Sequence, residues 1–421
     1  MHNKTLINQS FFILLTKLIY PCTSIFLSIL IARYLGPTSL GQFAIAGNIF
    51  SCFNILALMG IDIFVLKETS QNISSSESIL KNALFVCSIS SILCTGGMIG
   101  VVHILNYSNE IKYLVTILSL ALFPMVICQV YESVFIAHQK QQFYFITFFI
   151  GNFFKVIIGY FCIVHRPDLS WLMWIITASM MLSLIGTIYV SHKKLFNLKK
   201  SFFDIKKWYS HKINFQTMKI FSFISIGMVI FTRIDIILIS KIRGEIETGI
   251  YSIANKFIYL AYLLLIGITT AMYPRLNKHY KDSMQTFKKK YYQYKGIIFG
   301  VICFCSITIH LYSKSIIVFV YGQEYLEAMI PLKILLWSIF PMGFMLFYYN
   351  ILLILNQQKA ILKIISICLV ISLPITIFLT YYWGYVGTSY GIITAYTLIA
   401  VCYFLCLHRK PNIFVLIKQK S

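Results

Sequence analysis

The chain has 421 residues, of which 58% are hydrophobic, 16% aromatic and only 12% charged, with a mean hydropathy of +0.78. A water-soluble fold of this length would lack the polar surface to cover itself, so the composition excludes a soluble protein and indicates a polytopic membrane protein. The net charge of +23 at pH 7 would point to nucleic acid in a soluble chain; here it falls in short loops beside apolar runs, which makes it a matter of topology and anionic lipid headgroups, with no nucleic-acid partner expected.

Apolar runs long enough for ~30 Å of hydrocarbon predict twelve membrane helices, at 11–32, 41–61, 83–105, 111–136, 143–164, 170–191, 220–240, 249–272, 296–312, 331–355, 360–380 and 385–407. The expected fold class is therefore an all-α integral membrane protein. Residues 1–191 are read as one six-helix bundle, 192–219 as a basic amphipathic linker, and 220–421 as a second six-helix bundle with a short basic tail. The ninth run is the shortest and merges into the polar stretch from Lys314 to Glu327. No run has the charged start and small-residue exit of a cleaved signal peptide, so Phe11 onward is read as the first helix.

The link between the first two runs recurs between the seventh and eighth. Ile31, Arg33, Gly36, Gly41, Phe43, Ile45 and Ala46 align at one constant spacing with Ile239, Lys241, Gly244, Gly249, Tyr251, Ile253 and Ala254. Two related halves follow, and membrane proteins built this way are commonly transporters that alternate access around a central site. Arg33, Gly36, Lys241 and Gly244 are accordingly read as gating loops, because a short glycine-containing turn can bend as the halves rock.

Basic residues set the orientation. With a cytoplasmic N-terminus, the cytoplasmic side collects Lys4, Lys67, Lys81, Lys140, Lys359 and Lys363, together with the clusters Lys193–Lys219 and Arg275–Lys295 and the tail from Arg409. The other side holds only Arg33, Lys112, Arg166, Lys241, Arg243, Lys314 and Lys333. The positive-inside rule then places both termini in the cytoplasm. Within the linker, Lys residues mix with Phe202, Phe203, Trp208 and Tyr209, a pattern suited to an interfacial helix on anionic lipid. The 275–295 loop, with Lys288, Lys289 and Lys290, is its counterpart in the second half.

All eleven cysteines lie in predicted helices without a Cys-x-x-Cys pair, so they read as packing residues rather than disulfides or zinc ligands. Gly96 and Gly100 are spaced for close helix packing in the third helix. The chain has no phosphate loop, no His-Glu-x-x-His and no Gly-x-Ser-x-Gly. No enzyme activity, cofactor or metal is expected, and an ion gradient is the expected energy source.

The charges left inside the membrane carry the functional information, because a charge at the bilayer centre costs at least ~2.5 kcal/mol and is normally turned to a partner or an aqueous cavity. Four cations qualify, Lys17, Lys155, Arg233 and Lys256, and are assigned to substrate binding in a cationic lumen. Lys155 and Arg233 lie ~18–20 Å into their helices, at matching depth in different halves. The acids are Glu132 and Asp235, with Asp62 at the cytoplasmic end of the second helix; these three are the carboxylates placed to couple an ion. Lys256 reaches the level of Asp235, and an ion pair between them is the more economical reading. Arg233 and Asp235 point ~200° apart on a regular helix and are not expected to neutralise one another.

At these residues the chain resembles a known group. Ala32-Arg33-Tyr34-Leu35-Gly36-Pro37 followed by Gly41 and Phe43 resembles the first loop of bacterial polysaccharide flippases. So do Arg233-Ile234-Asp235 with Gly249-Ile250-Tyr251-Ser252-Ile253-Ala254, Tyr273-Pro274-Arg275-Leu276, and Phe319-Val320-Tyr321-Gly322 with Tyr325. These are the O-unit flippases of the multidrug, oligosaccharide-lipid and polysaccharide exporter superfamily, which is MATE-like. The resemblance implies two six-helix bundles around a central cavity. It also implies transfer of an undecaprenyl-pyrophosphate-linked oligosaccharide, an O unit or capsule repeat, to the outer leaflet of the bacterial inner membrane. Its expected partners are that substrate, anionic lipids and a polysaccharide polymerase complex. The alternatives are a multidrug exporter, which is expected to favour internal acids, a peptidoglycan-precursor flippase, and a membrane polysaccharide polymerase, which is expected to carry a large periplasmic loop.

Overall fold

The structure is a computed structural model that describes residues 2–195 and 215–408. The body of the predicted linker, including Lys199, Lys200, Lys206, Lys207 and Lys212, and the tail from Arg409 lie outside the described residues. The fold is all-α. In chain order the helices are α1 (His2–Leu58), α2 (Ile61–Gln71), α3 (Ser76–Ile104), α4 (Asn109–Ser119), α5 (Leu122–Ala137), α6 (Gln141–His165), α7 (Leu169–Lys194), α8 (Phe215–Ile242), α9 (Glu245–Asp282), α10 (Met284–Val320), α11 (Met329–Leu335), α12 (Ile339–Ile354) and α13 (Gln358–His408). Two compact units form, Met1–Ile226 and Gly227–Ser421, and the boundary falls inside α8.

Among the described residues, ten helical stretches are long and apolar enough to cross a membrane. Two of them are double spans. Leu15–Leu58, at 44 residues, would be ~66 Å long as one straight helix, about twice the hydrocarbon thickness. It is broken at Gly36, whose φ of 81° and ψ of −177° only glycine adopts without strain. Gln358–His408 is broken at Gly384, with φ 55°. There the Thr380 and Thr388 hydroxyls meet at 2.8 Å, whereas eight residues of straight helix would hold them ~12 Å apart. The chain doubles back at this point, and twelve spans result.

Gly244, between α8 and α9, has φ 87° and ψ −170°, matching Gly36 to within a few degrees. The internal repeat is therefore a repeat of backbone conformation. It also extends further than the first loop. Tyr107-Ser108-Asn109-Glu110 after α3 corresponds to Tyr321-Gly322-Gln323-Glu324 after α10, and Leu122-Phe123-Pro124-Met125 opening α5 corresponds to Ile339-Phe340-Pro341-Met342 opening α12. Further along the same register, Gln139 and Asn356 both take the left-handed conformation, φ 55° and 54°. Each closes its helix with the same pair of bonds: Lys140 N–H to Phe135 O and Gln139 N–H to Ile136 O in one, Gln357 N–H to Leu352 O and Asn356 N–H to Leu353 O in the other.

Several expectations are corrected. The fourth and tenth spans are not continuous helices: α4 gives way to α5 at Leu120–Ala121, and the tenth passes through a 3-10 turn at 336–338, because a proline in the first turn of α5 and of α12 cannot donate to the preceding helix. The 275–295 segment is not a loop. It is the end of α9 and the start of α10, joined at Ser283, so the ninth span is part of a 37-residue helix. Asp62 does not end the second span but stands in the first turn of α2, after the left-handed pair Met59 and Gly60. Gly96 and Gly100 face open space, and the close approach is made by Gly97 to the Phe53 ring. Tight packing occurs instead between α6 and α7, where a side chain at Gly151 would collide with Ser183 and Thr147 bonds Thr187 at 3.1 Å.

Candidate functional site

In the first unit, α1 and α6 share a polar seam. Asn152 and Lys155, three residues apart on α6, fall on one face of that helix and meet Thr23 and Tyr20 of α1. The Lys155 ammonium donates to Asn152 Oδ1 at 2.7 Å and to Thr23 Oγ1 at 2.8 Å, and lies 5.1 Å from the centre of the Tyr20 ring. Lys155 is 2% exposed. Asn152 is itself fixed by its amide donating to Phe148 O at 2.9 Å. No carboxylate takes part in holding Lys155, unlike Lys17, which pairs with Glu132, and Lys81, which pairs with Glu77. When protonated, a buried lysine held by neutral oxygens and a ring face carries a positive charge that no carboxylate cancels.

Three other sequence candidates gather at one end of the same unit. Lys17 on α1 pairs with Glu132 on α5 at 2.9 Å, and Asp62 on α2 lies within electrostatic reach of both. Lys17 is therefore a neutralised cation, its side chain 59% exposed, whereas Glu132 is buried. Burial pushes the half-buried Asp62 carboxyl up from its ordinary range, against the Ile63 N–H and the Lys17 ammonium, which favour the charged form.

In the second unit, Asp235 on α8 is 4% exposed. Its Oδ2 accepts from Tyr251 at 2.9 Å and from Asn255 at 2.8 Å, both on α9. Its Oδ1 is buried and accepts no bond. The expected Lys256–Asp235 pair does not form. Asn255 takes that place, and Lys256, one residue further along α9, is turned about 100° away with its ammonium shut off from solvent. Arg233 is half-buried, its guanidinium 5.2 Å from the Tyr259 ring centre, with Tyr262 beside that ring at 6.1 Å and Tyr396 within electrostatic reach. Arg233 and Asp235 make no ion pair, in keeping with their angular separation.

The loop candidates stand at helix breaks. Arg33 is exposed before Gly36, and Lys241 is exposed before Gly244. Beside Gly244, two side chains clasp the α13 turn. Arg243 donates to Tyr381 O at 2.8 Å and to Thr380 O at 3.5 Å, and Glu247 accepts from the Tyr385 N–H at 3.3 Å. A cation thus meets the carbonyl end of one helix and an anion the N–H end of the next.

Thr23, Asn152, Asn255 and Tyr259 have no place in the sequence expectations, and Tyr251 enters them only within the repeat and the flippase-like motif, not as a site residue. The Asn152/Lys155 spacing was the one available signal, since a lysine on an apolar helix needs a polar neighbour at i−3 or i−4.

Residues 6–280 match the family described as polysaccharide biosynthesis protein. The chain belongs to this family. Residues 221–378 also match the MatE family. No curated protein matches the sequence. Among solved structures, an inward-facing multidrug resistance MATE family transporter of the MOP superfamily is 14% identical, with 96% of each chain covered and a TM-score of 0.76. The lipid II flippase MurJ in an inward closed conformation is 13% identical over 96% of this chain and 89% of its own, with a TM-score of 0.73. A MOP superfamily transporter from Pyrococcus furiosus is 11% identical over 98% and 96%, with a TM-score of 0.70. At such identities the likeness is one of fold. This polysaccharide biosynthesis protein thus has the fold seen in MATE family transporters and in the lipid II flippase MurJ.

Proposed function

We propose that the protein is a flippase for an undecaprenyl-pyrophosphate-linked oligosaccharide, an O unit or capsule repeat, working by alternating access in the bacterial inner membrane with both termini cytoplasmic. The observation that carries this reading is Lys155, a buried cation held by Asn152, Thr23 and Tyr20 with no carboxylate. A pyrophosphate crossing hydrocarbon loses its hydration, and fixed cations on rigid helices replace it without a metal or a covalent step. Arg233 is the second such charge, and the rings of Tyr259 and Tyr262 beside it offer faces for sugar stacking. Lys17, compensated by Glu132, serves the site less directly, and Lys256 supplements the positive field. Arg33, Gly36, Lys241 and Gly244 flank the turns that flex during the cycle.

Asp235 is the favoured coupling group, because its buried Oδ1 is open to a proton or a small cation while Oδ2 is held in place. Asp62 and Glu132 are the alternatives. Anionic lipids contact the basic cytoplasmic face, and a polysaccharide polymerase complex takes the product. The test is complementation of a strain lacking the gene. Lys155→Ala and Arg233→Ala, inserted at normal levels, should abolish surface polysaccharide and accumulate the lipid-linked unit on the cytoplasmic side. Normal polysaccharide in both variants would refute the proposal. The MatE match over residues 221–378 favours one second reading, drug export; unchanged polysaccharide with lost drug resistance on deletion would select it.

A further inference from the structure

At the end of the first unit that the charge-based orientation makes cytoplasmic, two carboxylates share one ammonium. Lys17 of α1 pairs with Glu132 of α5 at 2.9 Å, and Asp62 in the first turn of α2 is within electrostatic reach of both. The partners are unequally placed, for the Lys17 side chain is 59% exposed and that of Glu132 only 7%. A solvated lysine on a flexible stem loses little on leaving such a pair, whereas the buried carboxylate left behind loses its counter-charge. The pair breaks most readily from the lysine side.

The other ionisable groups at this end are held elsewhere or are neutral. Lys81 pairs with Glu77, Lys140 donates to the Lys194 carbonyl, and His138 bonds Ser76. The Lys193 and Lys194 ammoniums lie over the rings of Tyr189 and Phe143. Lys67 and Glu68 stand more than ~100° around α2 from Asp62. Cys87 faces Asp62, and Cys128 and Tyr144 face Glu132; thiols and phenols of this kind are uncharged at neutral pH. Among the described residues, Lys17 is the cation placed to neutralise Glu132 and Asp62.

Lys17 also stands in line with Lys155. It lies one helical turn from Tyr20 on the same side of α1, nearer the cytoplasm, and Tyr20 carries the ring that the Lys155 ammonium faces at 5.1 Å. An anionic head group entering from the cytoplasm therefore meets Lys17 before Lys155. A pyrophosphate carries more negative charge than a single carboxylate and competes for the ammonium. Once Lys17 has gone, Asp62 loses the ammonium that favours its charged form and keeps the burial and the Glu132 charge that oppose it. Two like charges in a partly buried site do not both stay ionised, and a proton from water is shared between them.

Resting on the flippase reading, we propose that Lys17, Glu132 and Asp62 form a loading switch: the pyrophosphate of the incoming substrate takes Lys17 from Glu132, and the two carboxylates take up one proton, returned to the cytoplasm when Lys17 pairs again. The switch moves no proton across the membrane, so it is separate from the coupling assigned to Asp235. The test is titration calorimetry of the full chain in detergent with farnesyl pyrophosphate, near neutral pH and in two buffers of different ionisation enthalpy, which counts the protons exchanged. The unaltered protein should take up roughly one proton more per bound probe than Lys17→Gln, Glu132→Gln or Asp62→Asn. The proton change of the pyrophosphate itself is common to all four and cancels. Equal counts in the unaltered protein and Asp62→Asn, or an excess that persists in Lys17→Gln, overturn the switch, as does a failure of the unaltered protein to bind the probe. The same excess with phosphatidylglycerol in place of farnesyl pyrophosphate would assign the release of Lys17 to any lipid phosphate and overturn the substrate assignment. If the counts are equal while export proceeds, the switch falls and the flippase reading stands; if Lys155→Ala and Arg233→Ala leave export intact, the flippase reading falls whatever the calorimetry.

Discussion

Two charges in the first unit, the buried Lys155 and the half-buried Asp62, both weaken the fold. Lys155 is solvated by Asn152, Thr23 and Tyr20 alone, so it weakens the fold relative to an apolar side chain of similar length. Lys155→Met should leave the melting temperature in detergent unchanged or raised, while export falls by at least tenfold. Export at the normal rate would make the lysine a purely structural feature of the seam. Asp62 allows a pH test. Its folded-state carboxyl titrates above the ordinary value of 3.8, so the unfolded chain gives up this proton more readily and the charged form opposes folding. Asp62→Asn should therefore stabilise the protein most above the raised folded value. The gain should shrink as pH falls through that value and vanish below about 3.8. Melting curves of both proteins across this range check it, and a gain that grew toward acid would reverse the sign of the argument.

At the scale of elements, glycine turns do different work in the two units. A side chain at Gly36 would meet nothing within 4 Å, so Gly36→Ala suffers only backbone strain, on the order of 1–3 kcal/mol. A side chain at Gly384 would also strike the Glu247 carboxylate that holds the turn. Gly384→Ala should lower the melting temperature more than Gly36→Ala, and adding Glu247→Ser should recover part of the difference; equal losses would show that the clasp yields. Gly36 and Gly244 were legible in the sequence because no other residue takes that conformation cheaply. The breaks before Pro124 and Pro341 were not read, because hydropathy averages over a window and a mid-span 3-10 turn keeps the same apolar composition. The repeated Phe-Pro-Met and the Gln139/Asn356 turns could have revealed them. The Lys17–Glu132 pair was beyond reach, since spacing along the chain says nothing about which helices become neighbours.

The whole molecule shows where its charge belongs. With 38 residues, α9 would extend ~57 Å, far beyond ~30 Å of hydrocarbon, and α10 is nearly as long. Both overhang at the Ser283 end, and that overhang carries Arg275, Lys278, Lys288, Lys289 and Lys290. The opposite end of α9 begins with Glu245 and Glu247, and the first turn of α4 holds Glu110. A helical hairpin standing out of the bilayer with these cations is held to the leaflet that carries anionic lipid, at ~1 kcal/mol per basic residue near the surface. The Ser283 end should therefore be cytoplasmic. Reporter fusions after Lys290 and Lys363 should report cytoplasm, and fusions after Glu110 and Glu245 the periplasm. Replacing Lys288, Lys289 and Lys290 together with Gln should leave the fold inserted, since Lys67, Lys81 and Lys140 bias the first unit the same way. A periplasmic signal after Lys290 in the unaltered chain would invert the topology.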